Sequence, residues 1–272
     1  MKRICILTAA AFAALLFTMV MTLQADEPVP QEVTRTTELF NGKDLTGWYV
    51  FLKERQKGED PYKVFTVNDG MIRISGEEYG GIVSEQAYKN YHIIVEFKWG
   101  EKTWGNRVDR ARDSGLLVHS FGKDGAFGKC WMYSIEANII EGGIGDFIVV
   151  GDGGERFSLT AEVAAQKSSK GAYIWQKGGK PVTVSRGRID WFNRDPNWDG
   201  SLGYRGKNEV EKPHGQWNKL ELIADGDNIT VILNGVTVNQ ASKVKPNAGR
   251  IQLQTEMAEL FIRRVTLQPI QK

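Results

Sequence analysis

Cysteine is nearly missing from this sequence. There are two, Cys5 and Cys130, and Cys5 lies inside the N-terminal apolar run. A disulfide framework is therefore excluded for the chain downstream of that run. A chain of this length buries enough apolar surface to do without one. Only three histidines occur, and none stands near Cys130 in sequence. Cys130 reads as a small buried hydrophobe rather than a nucleophile. An excess of one charge is also lacking. If residues 1–25 are removed, the 35 bases lose Lys2 and Arg3 and become 33, against 33 acids. A near-neutral chain argues against nucleic acid as a partner, because phosphate binding needs clustered Lys and Arg. Helical periodicity, internal repeats and the glycine patterns of Rossmann and P-loop folds are absent as well.

One long hydrophobic run is present. Lys2 and Arg3 precede Ile4–Leu23, and Gln24-Ala25 follow before Asp26. This pattern predicts a secretory signal peptide over residues 1–25, and hence a periplasmic or secreted protein with no stable membrane insertion after cleavage. The run is also long enough to span a bilayer, so an uncleaved anchor is the alternative. Cys5 lies too early to be the lipid-bearing cysteine of a lipoprotein. Residues 26–37 are polar with two prolines and read as an exposed linker ahead of one domain, 38–270.

What fills that domain is strand signal. Tyr91, Ile93, Val95, Phe97 and Trp99 alternate with His92, Ile94, Glu96 and Lys98. Further runs are expected at 64–67, 71–75, 114–120, 217–224, 228–233, 236–240, 250–254 and 260–267. Turn signals separate several of them: Asn68-Asp69-Gly70, Asp225-Gly226-Asp227 and Asn234-Gly235. Asp225, Asp227 and Asn228 also have calcium-like spacing, but between strands they read as a hairpin turn. Short strands, punctuating turns and eight tryptophans predict an all-β sandwich. Residues 151–216 are the least regular and should form long loops over one face, where binding residues often lie.

The most informative stretch is YSIEANIIEGGIGD, 133–146. Alternate side chains of a strand share a face, so Glu136 and Asn138 point one way and Ile135, Ala137 and Ile139 the other. Glu141, three residues on, faces away unless a bulge or the strand end re-aims it. A carboxylate and an amide on an otherwise apolar strand suit a cleft better than a core.

Four segments carry a family resemblance. LFNGKDLTGW (39–48), ARDSGLLVHS (111–120), YSIEANIIEGGIGD (133–146) and GRIQLQTEMAELFIRRVTL (249–267) resemble, in order, motifs of the 3-keto-disaccharide hydrolase domain family. Asp113 stands where Asn is commoner, Glu256 where many members carry His, and Arg264 where Asn is usual. The resemblance covers roughly residues 38–269. It implies a concanavalin A-like jelly-roll β-sandwich of two antiparallel sheets, export, and action on a small carbohydrate already oxidised at carbon 3.

That chemistry needs a base for the carbon-2 proton, a stabiliser for the enediolate and an acid for the leaving oxygen. Glu136 is the first choice for the base or a metal ligand, with Asn138 orienting it. Glu256 is a second carboxylate, with Gln254 two residues before it on the same face. Asp113 and Arg112 come from a third strand, and Arg112 suits a sugar hydroxyl or an oxyanion. His119 is a candidate acid or ligand, Glu141 a candidate substrate contact. Trp104 and Trp131 are candidates for stacking on a sugar. Each has a plainer alternative: an outward polar row for Glu136 and Asn138, an Arg112–Asp113 ion pair, an acidic loop at Glu256 and Glu259, a turn at Glu141, and packing roles for His119 and the tryptophans. A divalent ion is a possible stabiliser, although no His, Asp or Glu spacing here is diagnostic of one.

Two other functions compete. Glu136, Asn138 and Glu141 have the E-x-D-x-x-E spacing of laminarinase-type glycoside hydrolases, with Asn in place of the central Asp. A non-catalytic carbohydrate-binding module is the third reading.

Overall fold

The computed structural model of the protein describes residues 27–271. The expected leader at 1–25 lies outside them. Nineteen strands occur among the described residues. They are β1 (Gln31–Glu32), β2 (Thr37–Glu38), β3 (Trp48–Leu52), β4 (Phe65–Asn68), β5 (Met71–Ile74), β6 (Gly80–Lys89) and β7 (Tyr91–Thr103). Next come β8 (Asp113–Phe121), β9 (Tyr133–Ile140), β10 (Phe147–Val150), β11 (Ser158–Val163), β12 (Tyr173–Ile174), β13 (Lys180–Val184) and β14 (Gly187–Asp190). The last are β15 (Asn218–Asp225), β16 (Asn228–Leu233), β17 (Val236–Lys245), β18 (Gly249–Thr255) and β19 (Ala258–Gln268). One 3₁₀ turn, Gly105–Arg107, joins β7 to β8. No described helix is long and apolar enough to cross a membrane.

Alternation explains the layers. Along β7, Tyr91, Ile93, Val95, Phe97 and Trp99 are at most 2% exposed, and all five point into the core. Each such burial is worth roughly 1.5–3 kcal/mol. The Asn234-Gly235 turn has φ of 51° and 86°, the two left-handed residues that a tight hairpin requires, and it joins β16 to β17 as expected. Asp225-Gly226-Asp227 likewise turns β15 into β16.

The strands form a nine-stranded sheet (β1-β6-β18-β8-β9-β10-β14-β12, with β3 on β6) and a ten-stranded one (β13-β11-β17-β16-β15-β7-β19-β5-β4, with β2 on β19). One apolar cluster lies between them, taking Leu116, Val118, Ile135, Ala137 and Leu253 from the first sheet and Val95, Leu222, Val231 and Ile262 from the second. This is the all-β jelly-roll sandwich that was expected. Two details differ from it. The sheets are not wholly antiparallel, because β1 pairs with β6 and β12 with β14 in parallel. The expected linker at 26–37 is also part of the sandwich: Gln31 and Glu32 pair with Tyr88 and Lys89, and Val33 packs into the core at 9% exposure.

The inner residues of β8, β9 and β18 leave their neighbours on the opposite face. That face of the nine-stranded sheet positions the site.

Candidate active site

Register brings the polar residues together. Gly115 pairs with Asn138 and Leu117 with Glu136, while Ile148 of β10 lies between Glu136 and Arg188 of β14. Gly115 makes the floor. A β-carbon there would lie 2.5 Å from Glu136 Oε1 and 2.8 Å from Gln254 Oε1, so only glycine lets both side chains fold across the strand.

Asp113, Glu136 and Asn138 are each no more than 4% exposed. Asn138 Nδ2 donates to Glu136 Oε1 (2.8 Å), Asp113 Oδ1 (3.0 Å) and the Ser114 carbonyl (3.0 Å). Arg107, from the 3₁₀ turn, donates through Nη2 to Asp113 and to Glu256 Oε1 at 2.7 Å. Glu256 follows the end of β18 and meets Asp113 across that guanidinium. Arg188 enters from β14, held by Asp146 Oδ2 at 2.5 Å. Asp146 also accepts from buried Arg194 and from the Trp191 backbone N–H (2.8 Å).

Three carboxyl groups in a desolvated place cannot all ionise cheaply. Burial, then the neighbouring Asp113 and Glu256, push Glu136 well above the usual carboxylate range. Burial and the Glu256 charge push Asp113 up, against the opposing pull of Arg107. Burial raises Glu256 as well, again opposed by Arg107. A protonated Glu136 carries a hydroxyl hydrogen, and Gln254 Oε1, buried beside it over Gly115, has no other partner. The geometry thus suits one held proton on Glu136 and a more readily ionised Asp113.

A cavity of about 420 Å³ opens on this cluster. Arg107, Asp113, Ile140 and Arg188 line its floor, and Ser168–Lys170, Arg194, Asp195 and Trp198 its wall. The wall residues belong to the irregular 151–216 segment.

Of the sequence candidates, Asp113 lines this cavity, Glu136, Asn138, Gln254 and Glu256 lie behind it in the same cluster, and the other five lie elsewhere. Asp113 faces the cavity, so Arg112, one residue earlier, faces away. Its Nη1 donates to Glu141 Oε1 at 2.6 Å, its backbone N–H to Glu141 Oε2 at 2.9 Å, and its Nε to the Gly100 carbonyl at 3.1 Å. Arg112 and Glu141 therefore form a buried structural pair rather than substrate contacts. This also removes the laminarinase arrangement, which needs both glutamates on one substrate-facing side. His119 is wholly buried beside Tyr91, at φ 54°, where a bulge in β8 turns it inward. Its Nδ1 meets the Pro246 carbonyl at 2.9 Å, and burial lowers it to about 4, so it is a neutral core residue. The indole N–H groups of Trp104 and Trp131 are spent on the Ser75 and Gly80 carbonyls (2.9 and 2.8 Å), and neither ring lines the cavity. Burial pushes the Cys130 thiol up to about 12, which suits the inert role expected of it.

Arg107, Arg188, Arg194 and Trp198 were not singled out by sequence reasoning. Arg107 stands in a turn six residues before Asp113, and the other three come from the segment with the weakest pattern. As for a divalent ion, no group of three His, Cys, Asp or Glu among the described residues is arranged to hold one. Asp113 and Glu256 are instead bridged by a guanidinium, so the donor set does not fit a metal as it stands.

A β-sandwich with a buried acid cluster and two guanidinium groups on the floor of a cavity is the class of protein these features define. The chain belongs to the 3-keto-alpha-glucoside-1,2-lyase-like domain family, which it matches over residues 35–268. Membership makes it a carbohydrate-active protein. No curated protein matches the chain. Among solved structures, it is similar to a candidate glycosyl hydrolase from Parabacteroides distasonis, at 18% identity and TM-score 0.49, covering 87% of this chain and 94% of that one. It is also similar to a carbohydrate-binding module from Bacillus subtilis (13%, TM-score 0.43, 82% and 96% covered). A β-glucanase from Bacillus licheniformis is a third (9%, TM-score 0.42, 86% and 96% covered).

Proposed function

We propose that the protein cleaves 3-keto-glycosides by removing the proton on carbon 2 and expelling the group on carbon 1. The observation that carries this is Asp113, a buried carboxylate with a raised pKa that opens on the cavity between Arg107 and Arg188. Membership of a 3-keto-alpha-glucoside-1,2-lyase-like domain family supports the choice of sugar.

A ketone at carbon 3 acidifies the carbon-2 proton. Asp113 takes that proton, and the C–H electron pair becomes the enediolate spanning carbons 2 and 3. Arg107 and Arg188 stabilise its negative oxygens. The carbonyl then re-forms, carbon 1 and carbon 2 become doubly bonded, and the C1–O bond breaks. The departing oxygen collects a proton from Glu136, whose burial keeps it protonated until needed. Addition of water across the double bond, hydroxyl to carbon 1 and hydrogen to carbon 2, completes a net hydrolysis. Without that step the outcome is a lyase product. Action outside the cytoplasm goes with this reading, and the N-terminal leader pattern is what supports it.

The test incubates the purified protein with a 3-keto-glucoside and with its unoxidised parent, with and without chelator. Release of the aglycone from the keto-sugar alone, and its loss in Asp113→Asn and Glu136→Gln, is the expected result. A second measurement isolates the first step. In heavy water, a 3-keto C-glucoside, which cannot lose its carbon-1 group as an alcohol, should gain deuterium at carbon 2 only when Asp113 is present. Cleavage of the unoxidised parent overturns the elimination reading in favour of a glycosidase. Binding without exchange or cleavage reduces the protein to a carbohydrate-binding sandwich.

A further inference from the structure

Trp198 is held in a way that packing alone does not require. Its Nε1 donates to the Glu141 carbonyl at 2.8 Å, which fixes the plane of the indole. A β-carbon on Gly142 would sit 2.7 Å from Trp198 Cδ1, so the chain leaves room for the ring only because residue 142 is glycine, at φ 72°. The Arg194 guanidinium lies 4.4 Å from the ring centroid. Arg194 is itself 4% exposed in its side chain and anchored on Asp146. The indole is thus fixed by three contacts, two with the turn after β9 and one with Arg194 of its own loop. Yet it is only half-buried, and it lines the same cavity as Asp113.

Two cations lie over the ring and both line the cavity, but Arg194 is buried and anchored whereas Lys170 is exposed. Lys170 Nζ lies 4.3 Å from the ring centroid. Lys170 sits at the tip of a turn closed by Gly171 N–H to Ser168 O (2.8 Å) and Ser168 N–H to Ala172 O (2.9 Å). Its backbone is held, while its four-carbon stem is free to swing. The ring faces of indoles complement the C–H faces of pyranoses, and a flexible ammonium over an indole is worth little at an exposed site.

We propose that Trp198 is the platform on which a pyranose ring of the substrate stacks, and that Lys170 covers this platform until the sugar displaces it. The inference deepens the keto-glycoside reading and rests on it for the choice of ligand. A cavity of about 420 Å³ has room for more than one sugar ring, so a platform in its wall suits a disaccharide-sized substrate. Trp198 binds and takes no part in proton transfer.

The experiment titrates the wild type, Trp198→Phe and Lys170→Ala with the uncleavable 3-keto C-glucoside and follows indole fluorescence. The wild type should show a saturable change in emission. Trp198→Phe should lose that change and bind several-fold more weakly. Lys170→Ala should bind roughly two- to fivefold more tightly, because the sugar no longer competes with the ammonium. Lys170 is exposed, so its variant reports even if the tryptophan variant does not fold. A wild type without any saturable change overturns the platform. So does a Trp198→Phe protein that keeps both signal and affinity, or a Lys170→Ala protein whose affinity is unchanged or weaker. Aglycone release from the ordinary 3-keto-glucoside is followed separately. A Trp198-dependent signal without cleavage sinks the reaction and leaves the platform. Cleavage without the signal does the reverse.

Discussion

Asp113 and Glu136 hang from one nitrogen. Asn138 Nδ2 reaches Asp113 Oδ1 at 3.0 Å and Glu136 Oε1 at 2.8 Å, although the two acids stand on different strands and 23 positions apart. The arrangement follows from register. Asn138 faces Gly115, where the missing side chain lets Glu136 and the amide share the space over β8. Two buried acids on one donor favour unequal protonation, and an elimination that takes one proton and gives another needs that inequality.

The first prediction concerns pH and rate. As the base, Asp113 acts only when ionised, and burial together with Glu256 raises its pKa. The rate constant kcat/KM should therefore climb with pH along a limb above the ordinary carboxylate range. Glu256→Gln removes the negative charge and leaves Arg107 to Asp113 alone, so both changes favour ionisation. The limb should move to lower pH in that variant. A limb that stays in place, or moves upward, would show that another group is the base. Asp113→Asn should cost roughly 10²- to 10⁴-fold in rate.

Asn138→Asp tests the shared donor. The change keeps the size of the side chain but replaces an N–H donor with a fourth acid in the cluster. Leaving buried acceptors unpaired costs about 1–3 kcal/mol per group. We expect a lower thermal midpoint, a fall in kcat of about 10- to 100-fold, and a smaller change in KM. A variant with wild-type kcat would mean that Asn138 does not organise the acids.

Arg112 and Glu141 should behave differently from the residues around Asp113. Their side chains are 7% and 5% exposed, and they pair with one another. Breaking a buried pair from one side costs about 3–5 kcal/mol, because the remaining charge is stranded. Glu141→Gln should therefore unfold at lower denaturant, while its folded fraction keeps most of its kcat. A fully stable, inactive Glu141→Gln protein would restore the two-glutamate glycosidase that the structure argues against.

Those contrasts also separate what local pattern encodes from what it does not. Period-two alternation located β7 directly, and Asn234-Gly235 located the hairpin that follows β16. The same alternation put Glu136 and Asn138 on one face and left Glu141 off it, which is where they lie. Applied to Arg112 and Asp113, it says that only one of two neighbours can face the cavity, though not which. Arg107, Arg188 and Trp198 were beyond its reach. A 3₁₀ turn and the loops of 151–216 take their direction from tertiary contacts, such as Arg188 on Asp146 and Trp198 on the Glu141 carbonyl, and these leave no local period. The expected linker failed for a related reason: a polar, proline-bearing segment still pairs where the end of β6, beyond the reach of β3, offers free backbone groups.

The last prediction concerns stability and involves a group away from the reaction. Glu211 accepts hydrogen bonds from Trp99 Nε1 (2.7 Å) and the Gly142 N–H (3.2 Å), next to the glycine that admits Trp198. Burial, and then the nearby Glu209, push it up to about 8, against the pull of those donors. A folded-state pKa above the unfolded value means that the native protein binds the extra proton. The stabilisation is complete below the unfolded carboxylate value near 4.5 and is lost as pH rises toward 8. At roughly 1.4 kcal/mol per pH unit, Glu211 accounts for at most about 5 kcal/mol of that loss. Glu136, Asp113 and Asp190 are raised as well and act in the same direction. The thermal midpoint of the wild type should therefore fall between pH 5 and pH 8.5. Glu211→Gln, which keeps an acceptor but cannot ionise, should fall less steeply over that range and be the more stable protein at pH 8.5. Parallel curves for the two proteins would show that Glu211 ionises in the folded chain as easily as in the unfolded one.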